Sequence, residues 1–220
     1  KWLESNRFFS PVKYSKYWEK THKYDIFFLM DNNRKGKEHP LSILAEEAYK
    51  VFSDMGFEIA TGPELESEWY NFDALNVSKD HPARDMQDTF FIKNQKEKVL
   101  RTHTTNVTAR AIEKAGKEGR LPCAFISIGK VFRNEATDST HEMQFFQTDG
   151  TMVGEDISIA DLKGVLTHFY KKMLGDDVQM EFRPSFFPFV EPGFEVWLRF
   201  GNKWLEVMGA GMLHPNVLKN

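Results

Sequence analysis

A single cysteine, Cys123, stands in the 220 residues of this chain, which excludes a disulfide framework. It lies in an apolar stretch and reads as a small core residue, so a reducing compartment, the cytoplasm, is the expected setting. Long hydrophobic runs are missing as well. Stretches such as Ile26 to Met30 fall well short of the roughly 20 apolar residues of a membrane span. The first residues mix Lys, Trp, Glu and Tyr with no apolar centre, so no signal peptide is expected. Neither GxxxxGK followed by Ser or Thr nor GxGxxG occurs, so the two common phosphate-binding loops are absent. There is no internal repeat and no low-complexity tract. Positive charge is not in excess: 29 Lys and Arg against 32 Asp and Glu leave a net charge of −3. Contact with nucleic acid therefore requires a local patch, another domain or another subunit.

What is present suits one globular domain. Apolar residues make up 41% and charged residues 28%, and the length can bury a sizeable core. Residues 1–38 are rich in Lys, Tyr, Trp and Asn and read as an N-terminal extension and linker, with the domain proper over 39–220. Leu41, Leu44, Ala45, Ala48, Val51, Phe52 and Met55 recur at helical spacing and stop at Gly56. A short strand through Phe57 and Ile59 and a turn at Thr61-Gly62-Pro63 follow. Strands are expected over Thr89–Ile92, Cys123–Phe132 and Gln144–Val153, with a helix from Thr104 or Thr105 to about Gly116. Ser158 to Asp161 resembles a capping box for a helix closed by Gly175. Val178, Met180 and Phe182 alternate; Phe194–Phe200 and Lys203–Val207 form two more strands around a Gly201-Asn202 turn. Strands joined by hairpins, with a few helices, predict an α+β fold with an antiparallel sheet flanked by helices.

The most informative stretch is Phe132-Arg133-Asn134-Glu135, a polar loop, then His141, Phe145 and Asp149 at intervals of four. Alternation puts Arg133 and Glu135 on one face of the first strand, and Phe145, Gln147 and Asp149 on one face of the second. The array suits adenylate formation. A guanidinium can hold an α-phosphate in two-pronged fashion and stabilise charge during displacement. A carboxylate or backbone group near Glu135 can accept from the adenine amino group, a ring at Phe145 can stack on the purine, and His141 can reach the outer phosphates.

This stretch resembles motif 2 of class II aminoacyl-tRNA synthetases. Further segments narrow the resemblance to the phenylalanyl-tRNA synthetase α-subunit family. They are Trp69-Tyr70-Asn71-Phe72-Asp73-Ala74-Leu75 with His81-Pro82-Ala83-Arg84-Asp85-Met86-Gln87-Asp88; Leu100 to Thr105; Arg183 to Pro192; and Lys203 to Met212. The helix, strand and proline ending at Pro63 are similar to motif 1, which builds the dimer interface in this class.

The resemblance implies roles for single residues. Arg133 binds the α-phosphate, Glu135 reads adenine, Phe145 stacks on it and His141 contacts ATP phosphates. Gln147 and Asp149 hold the amino group of the amino acid. Asp149 stands where the family usually has Glu, which shortens that reach. His103 and Thr105 line the amino-acid site. Phe187 and Phe189 wall the substrate ring edge-to-face, and Val190 and Ala210 close the pocket floor. Glu206 is a candidate Mg²⁺ ligand, since Mg²⁺ commonly takes one or two carboxylates plus substrate phosphates. Plainer readings stand beside these. Taken alone, Phe187 and Phe189 more often read as core and His103 as a structural histidine; Glu206 also reads as the partner of a lysine, and Arg84 and Asp85 as a structural ion pair.

The implied activity is ATP- and Mg²⁺-dependent activation of phenylalanine and its transfer to tRNA(Phe). The implied partner is a β subunit in an α2β2 heterotetramer. The family continues beyond the counterpart of Asn220 into motif 3, so the chain is expected to be a piece of a longer α subunit that charges tRNA poorly alone. The alternative is a truncated paralogue that binds adenylate, amino acid or a protein partner without charging tRNA. A third reading is a related ligase for a small-molecule amine, against which the Phe-Pro-Phe segment argues.

Overall fold

The computed structural model describes residues 36–84, 89–95, 97–134 and 142–220. The chain divides into two units, Lys1–His39 and Pro40–Asn220. The second unit begins with α1 (Pro40–Asp54), whose Ala48 and Phe52 are buried and which ends at Gly56 with φ +90°. Strand β1 (Glu58–Ile59) follows, then β2 (Leu65–Ser67), the one-turn helix α2 (Glu68–Asn71) and short 3-10 turns at Asp73–Leu75 and Pro82–Arg84. Next come β3 (Lys98–Leu100), α3 (Thr105–Lys117), β4 (Cys123–Phe132) and β5 (Gln144–Val153). The chain continues through α4 (Ile159–Leu174), β6 (Met180–Pro184), β7 (Val190–Phe200), β8 (Lys203–Leu213) and α5 (Pro215–Lys219).

Two three-stranded sheets organise these elements. In the first, β4 lies between β1 and β5; β4 and β5 are antiparallel over ten residues each, while β1 runs parallel to β4. The apolar run of Cys123–Phe132 is thus a central strand. Its two faces do different work. Ile126 packs with Phe52 and Phe57, joined by Val165 and Phe169, under α1 and α4. Phe125 and Cys123 turn the other way, to Ala115, Ala111 and Ile112 of α3. The second sheet is the meander β6-β7-β8, with Val196 and Ala210 buried against Leu166 of α4. A capping box starts α4: Ser158 N–H donates to Asp161 Oδ2 at 2.9 Å, and Asp161 N–H returns to Ser158 Oγ at 3.4 Å. Gly201, at φ +58°, turns β7 into β8.

One expectation is corrected. Thr89–Ile92 forms no strand; only Phe91 bridges to Val99. The strands are not hydrogen-bonded into one sheet among the described residues, and β2 and β3 form a separate ribbon. Arg84 pairs with Asp73 at 3.0 Å, across the 72–77 turn, while Asp85 lies outside the described residues.

Candidate active site

The hairpin β4–β5 supplies the first half of the site. Its register sets Phe145 opposite Val131, Gln147 opposite Gly129 and Asp149 opposite Ser127, so these positions share one face. Arg133 follows Val131 with the same parity, and its guanidinium carbon stands 5.0 Å from the centroid of the Phe145 ring. A cation and an aromatic face thus stand side by side. Arg133 Nε also donates to the Thr102 carbonyl at 3.3 Å. Glu135 and His141 lie outside the described residues.

Gly129 leaves a gap on this face, and Arg101 fills it. A β-carbon on Gly129 would sit 2.2 Å from Arg101 Nη2. Arg101 is buried; its Nε donates to the Lys130 carbonyl at 2.6 Å and its Nη1 to the Gly62 carbonyl at 3.2 Å. Phe132 N–H donates to the Arg101 carbonyl at 2.9 Å. Residues 101–103 are therefore fastened to the end of β4 that carries Arg133.

The start of α3 supplies the second half. Thr104 N–H donates to Gln147 Oε1 at 3.0 Å, Thr105 Oγ1 to Asp149 Oδ1 at 3.0 Å, and Thr108 Oγ1 contacts Asp149 Oδ2 at 2.5 Å. Burial pushes the Asp149 carboxyl above its ordinary pKa, and the Thr108 and Thr105 hydroxyls pull it back. His103 Nε2 lies 2.9 Å from the Asn71 carbonyl. A carbonyl only accepts, so Nε2 carries the proton and Nδ1 is a bare acceptor. Burial, helped by the charge of Arg133, lowers the His103 pKa to about 4 against the pull of the Asn71 carbonyl, so the ring is neutral at pH 7. His103 Nδ1, Thr104 Oγ1 and Asn106 Oδ1 are all buried without a hydrogen-bond partner. Such atoms cost about 1–3 kcal/mol each when left unsatisfied.

The aromatic part comes from the segment before β7. It turns tightly, with Val190 N–H donating to the Phe187 carbonyl at 3.3 Å. Phe187 and Val190 rest on glycines of β7 and β8: Phe187 on Gly209, Val190 on Gly193 and Gly211. The rings of Phe187 and Phe189 have centroids 6.1 Å apart with planes at 31°. Phe189 packs against Phe72, Leu75, Val77 and Val99. Asn76, in the left-handed region at φ 58°, donates to the Pro188 carbonyl at 2.7 Å and ties this segment to the turn after Asn71. Contacts thus run from Phe187 through Phe189 and Phe72 to Asn71, and from there to His103.

Ala210 does not join this group. The pairing of β7 with β8 shifts between Val196 and Trp197, leaving Val207 as an extra residue. Glu206, opposite Trp197, and Ala210, opposite Phe194, consequently face opposite ways although four residues apart. Ala210 packs with Leu166 and Val196 in the core beneath α4. Glu206 lies on the Phe187 side, where Glu195 opposes Gly209 and Trp197 follows with the same parity. Among the described residues no group of three or more His, Cys, Asp or Glu side chains could hold a metal. Exposed Glu206 suits an ion that brings nucleotide phosphates as its other ligands, and does not by itself make a resident metal site.

Residues 23–220 match the family model described as tRNA synthetases class II core domain (F). The chain belongs to this family. The phenylalanine–tRNA ligase alpha subunit of Anoxybacillus flavithermus is 48% identical over 198 residues, covering 84% of this chain and 56% of that protein. The phenylalanine–tRNA ligase alpha subunit of Bacillus mycoides is 47% identical over 196 residues, with the same coverage. The chain spans about half the length of these curated relatives. A pyrrolysyl tRNA synthetase from Desulfitobacterium hafniense superposes with a TM-score of 0.64 at 18% identity, over 82% of this chain and 61% of that one, which shows a shared fold. Within this class II core, sequence reasoning missed Arg101, Asn71 and Thr108. The signals for them were a glycine inside an apolar strand at Gly129, and polar residues bracketing Phe72 and Val107.

Proposed function

We propose that this chain carries the phenylalanine-activating centre of a phenylalanine–tRNA ligase α subunit. The observation that carries the reading is the pairing of Arg133 with the Phe145 ring at 5.0 Å, on a hairpin whose next inward residues, Gln147 and Asp149, are held by the start of α3. The carboxylate of phenylalanine attacks the α-phosphorus of ATP, the bond to the bridging oxygen breaks, and pyrophosphate leaves. Arg133 stabilises the charge on the α-phosphoryl oxygens, and Phe145 stacks on adenine. Glu135 accepts from the adenine amino group and His141 meets the outer phosphates. Gln147 and Asp149 take the substrate ammonium, with His103 and Thr105 beside them. Phe187, Phe189 and Val190 receive the ring. Glu206 would hold Mg²⁺, which would supply charge neutralisation to the phosphates.

A terminal ribose hydroxyl of tRNA(Phe) then attacks the activated carbonyl and AMP leaves. No enzyme nucleophile is needed; positioning and charge stabilisation suffice. Tyrosine is refused because an apolar pocket offers its hydroxyl no partner. The centre works in the cytoplasm within an α2β2 assembly with a β subunit, and 39–220 is the catalytic domain behind a 1–38 extension. The test is ATP–pyrophosphate exchange by the full-length protein with each amino acid in turn. Exchange driven by phenylalanine and lost in Arg133→Ala supports the reading; exchange driven by a different amino acid refutes it.

A further inference from the structure

Asn71 is fully buried, yet it is polar and its neighbours Phe72 and Leu75 are apolar. Its side chain spends its hydrogen bonds on one neighbourhood. Oδ1 accepts from Thr102 N–H at 3.1 Å and from Asn106 Nδ2 at 3.2 Å, and Nδ2 donates to Thr102 Oγ1 at 3.1 Å. Its backbone carbonyl accepts from His103 Nε2 at 2.9 Å. The Thr102 carbonyl in turn accepts from Arg133 Nε at 3.3 Å. One residue separates Asn71 from the cation of the site, and none separates it from the imidazole. An apolar side chain would fill this space without the cost of burying an amide. An amide held by three hydrogen bonds does more, because they fix its orientation.

We propose that Asn71 is a positioning residue for adenylate formation, holding Thr102 and His103 in one frame so that Arg133 and the amino-acid site stand at the separation that in-line attack requires. This inference rests on the activation reading above. The ammonium is taken at Gln147, Asp149 and His103, and the phosphate at Arg133. Each ligand can bind its own half whether or not the halves are in register. Loss of the frame therefore lowers turnover and leaves both affinities nearly unchanged.

The test uses the full-length protein, with its natural partner chains, in phenylalanine-dependent ATP–pyrophosphate exchange. Asn71→Ala is expected to lower kcat by about 10- to 100-fold, with KM for phenylalanine and ATP within about threefold of wild type. Asn71→Asp keeps both acceptor contacts, and the Thr102 hydroxyl can turn to donate; it is expected to recover most of the lost kcat. Active sites are counted by trapped adenylate, so that a smaller folded fraction does not pass for slower chemistry. Should Asn71→Ala fail to fold, Asn71→Ser takes its place in the comparison. Unchanged kcat per active site, with only the melting temperature lowered, overturns the proposal. So does a loss confined to KM. A wild-type protein without phenylalanine-dependent exchange overturns the activation reading itself and this inference with it, whereas an active wild type with a fully active Asn71→Ala overturns this inference alone.

Discussion

The ring of Phe187 lies across Gly209 so closely that a β-carbon there would sit 2.8 Å from Phe187 Cζ and 3.1 Å from two other ring atoms. Gly209→Ala must therefore lift or tilt the ring. Overpacking of this kind costs about 1–3 kcal/mol, and a ring displaced into its pocket narrows it. We expect KM for phenylalanine to rise about tenfold, KM for ATP to hold, and the melting temperature to fall by a few degrees. Steady-state exchange kinetics and a thermal melt check this. An unchanged KM for phenylalanine would mean that Phe187 does not shape the substrate site.

Asp149 is held between Thr105 and Thr108 at 3.0 and 2.5 Å. Its raised pKa means that the folded protein binds this proton more tightly than the unfolded chain does. Between the unfolded and folded values, stability consequently falls as pH rises. Asp149→Asn should remove that slope and leave stability at pH 7 equal or higher. It should raise KM for phenylalanine by about 100-fold, because the ammonium loses its counter-charge. Urea denaturation across acidic pH measures the slope, and exchange kinetics measure the affinity.

His103 makes the opposite pH prediction. Its pKa falls from 6.5 to about 4 on folding, so the unfolded chain takes up the proton first as pH drops. The stability contribution is present above pH 6.5 and is lost as pH falls from 6.5 towards 4. Nitrogen-15 NMR should find the Nε2–H tautomer, with no titration between about pH 5 and 8. A His103 signal that titrates near its ordinary pKa would contradict the burial and tautomer described here.

Arg84 Nη2 meets Asp73 Oδ1 at 3.0 Å and the Val77 carbonyl at 2.5 Å, and the guanidinium stands 4.8 Å from the Phe72 ring centroid. The arginine side chain is 11% exposed and the Asp73 side chain 30%, so the arginine is largely withdrawn from water and the aspartate partly. Arg84→Met strands the Asp73 carboxylate and should cost about 2–3 kcal/mol. Removing both charges in Arg84→Met/Asp73→Asn should cost less than the sum of the single changes. Denaturation of the four proteins gives the coupling; strict additivity would show that the pair contributes nothing.

The sequence was most legible where one strong local signal sufficed. The apolar run of Cys123–Phe132, the alternation of Gln144–Val153 and the capping residues Ser158 and Asp161 each match the observed element. It was least legible where a long-range contact decides. Nothing local reveals that Glu66 is buried beside Arg110, at 2.5 Å, or that Arg101 occupies the space over Gly129. Strand β7 begins earlier than its alternation indicates, at Val190, because Pro192 and Gly193 interrupt the pattern without ending the pairing. Ala210 packs beneath α4 because the extra residue Val207 reverses the faces between Glu206 and Ala210, and a bulge leaves no mark in apolar spacing. Phe145, Gln147 and Asp149 could be read as one face from β periodicity, whereas their grouping with Arg133 came from the resemblance to motif 2 and depends on the β4–β5 register.

The most direct test is a structure of the full-length protein with a non-hydrolysable phenylalanyl-adenylate analogue, a sulfamoyl group replacing the phosphoryl. The account predicts adenine on the Phe145 ring and the sulfamoyl oxygens at Arg133. It places the ammonium among Gln147, Asp149 and the bare Nδ1 of His103, and the phenyl ring against Phe187 and Phe189. An analogue bound away from the β4–β5 hairpin, or one whose ammonium and ring avoid these residues, would contradict it.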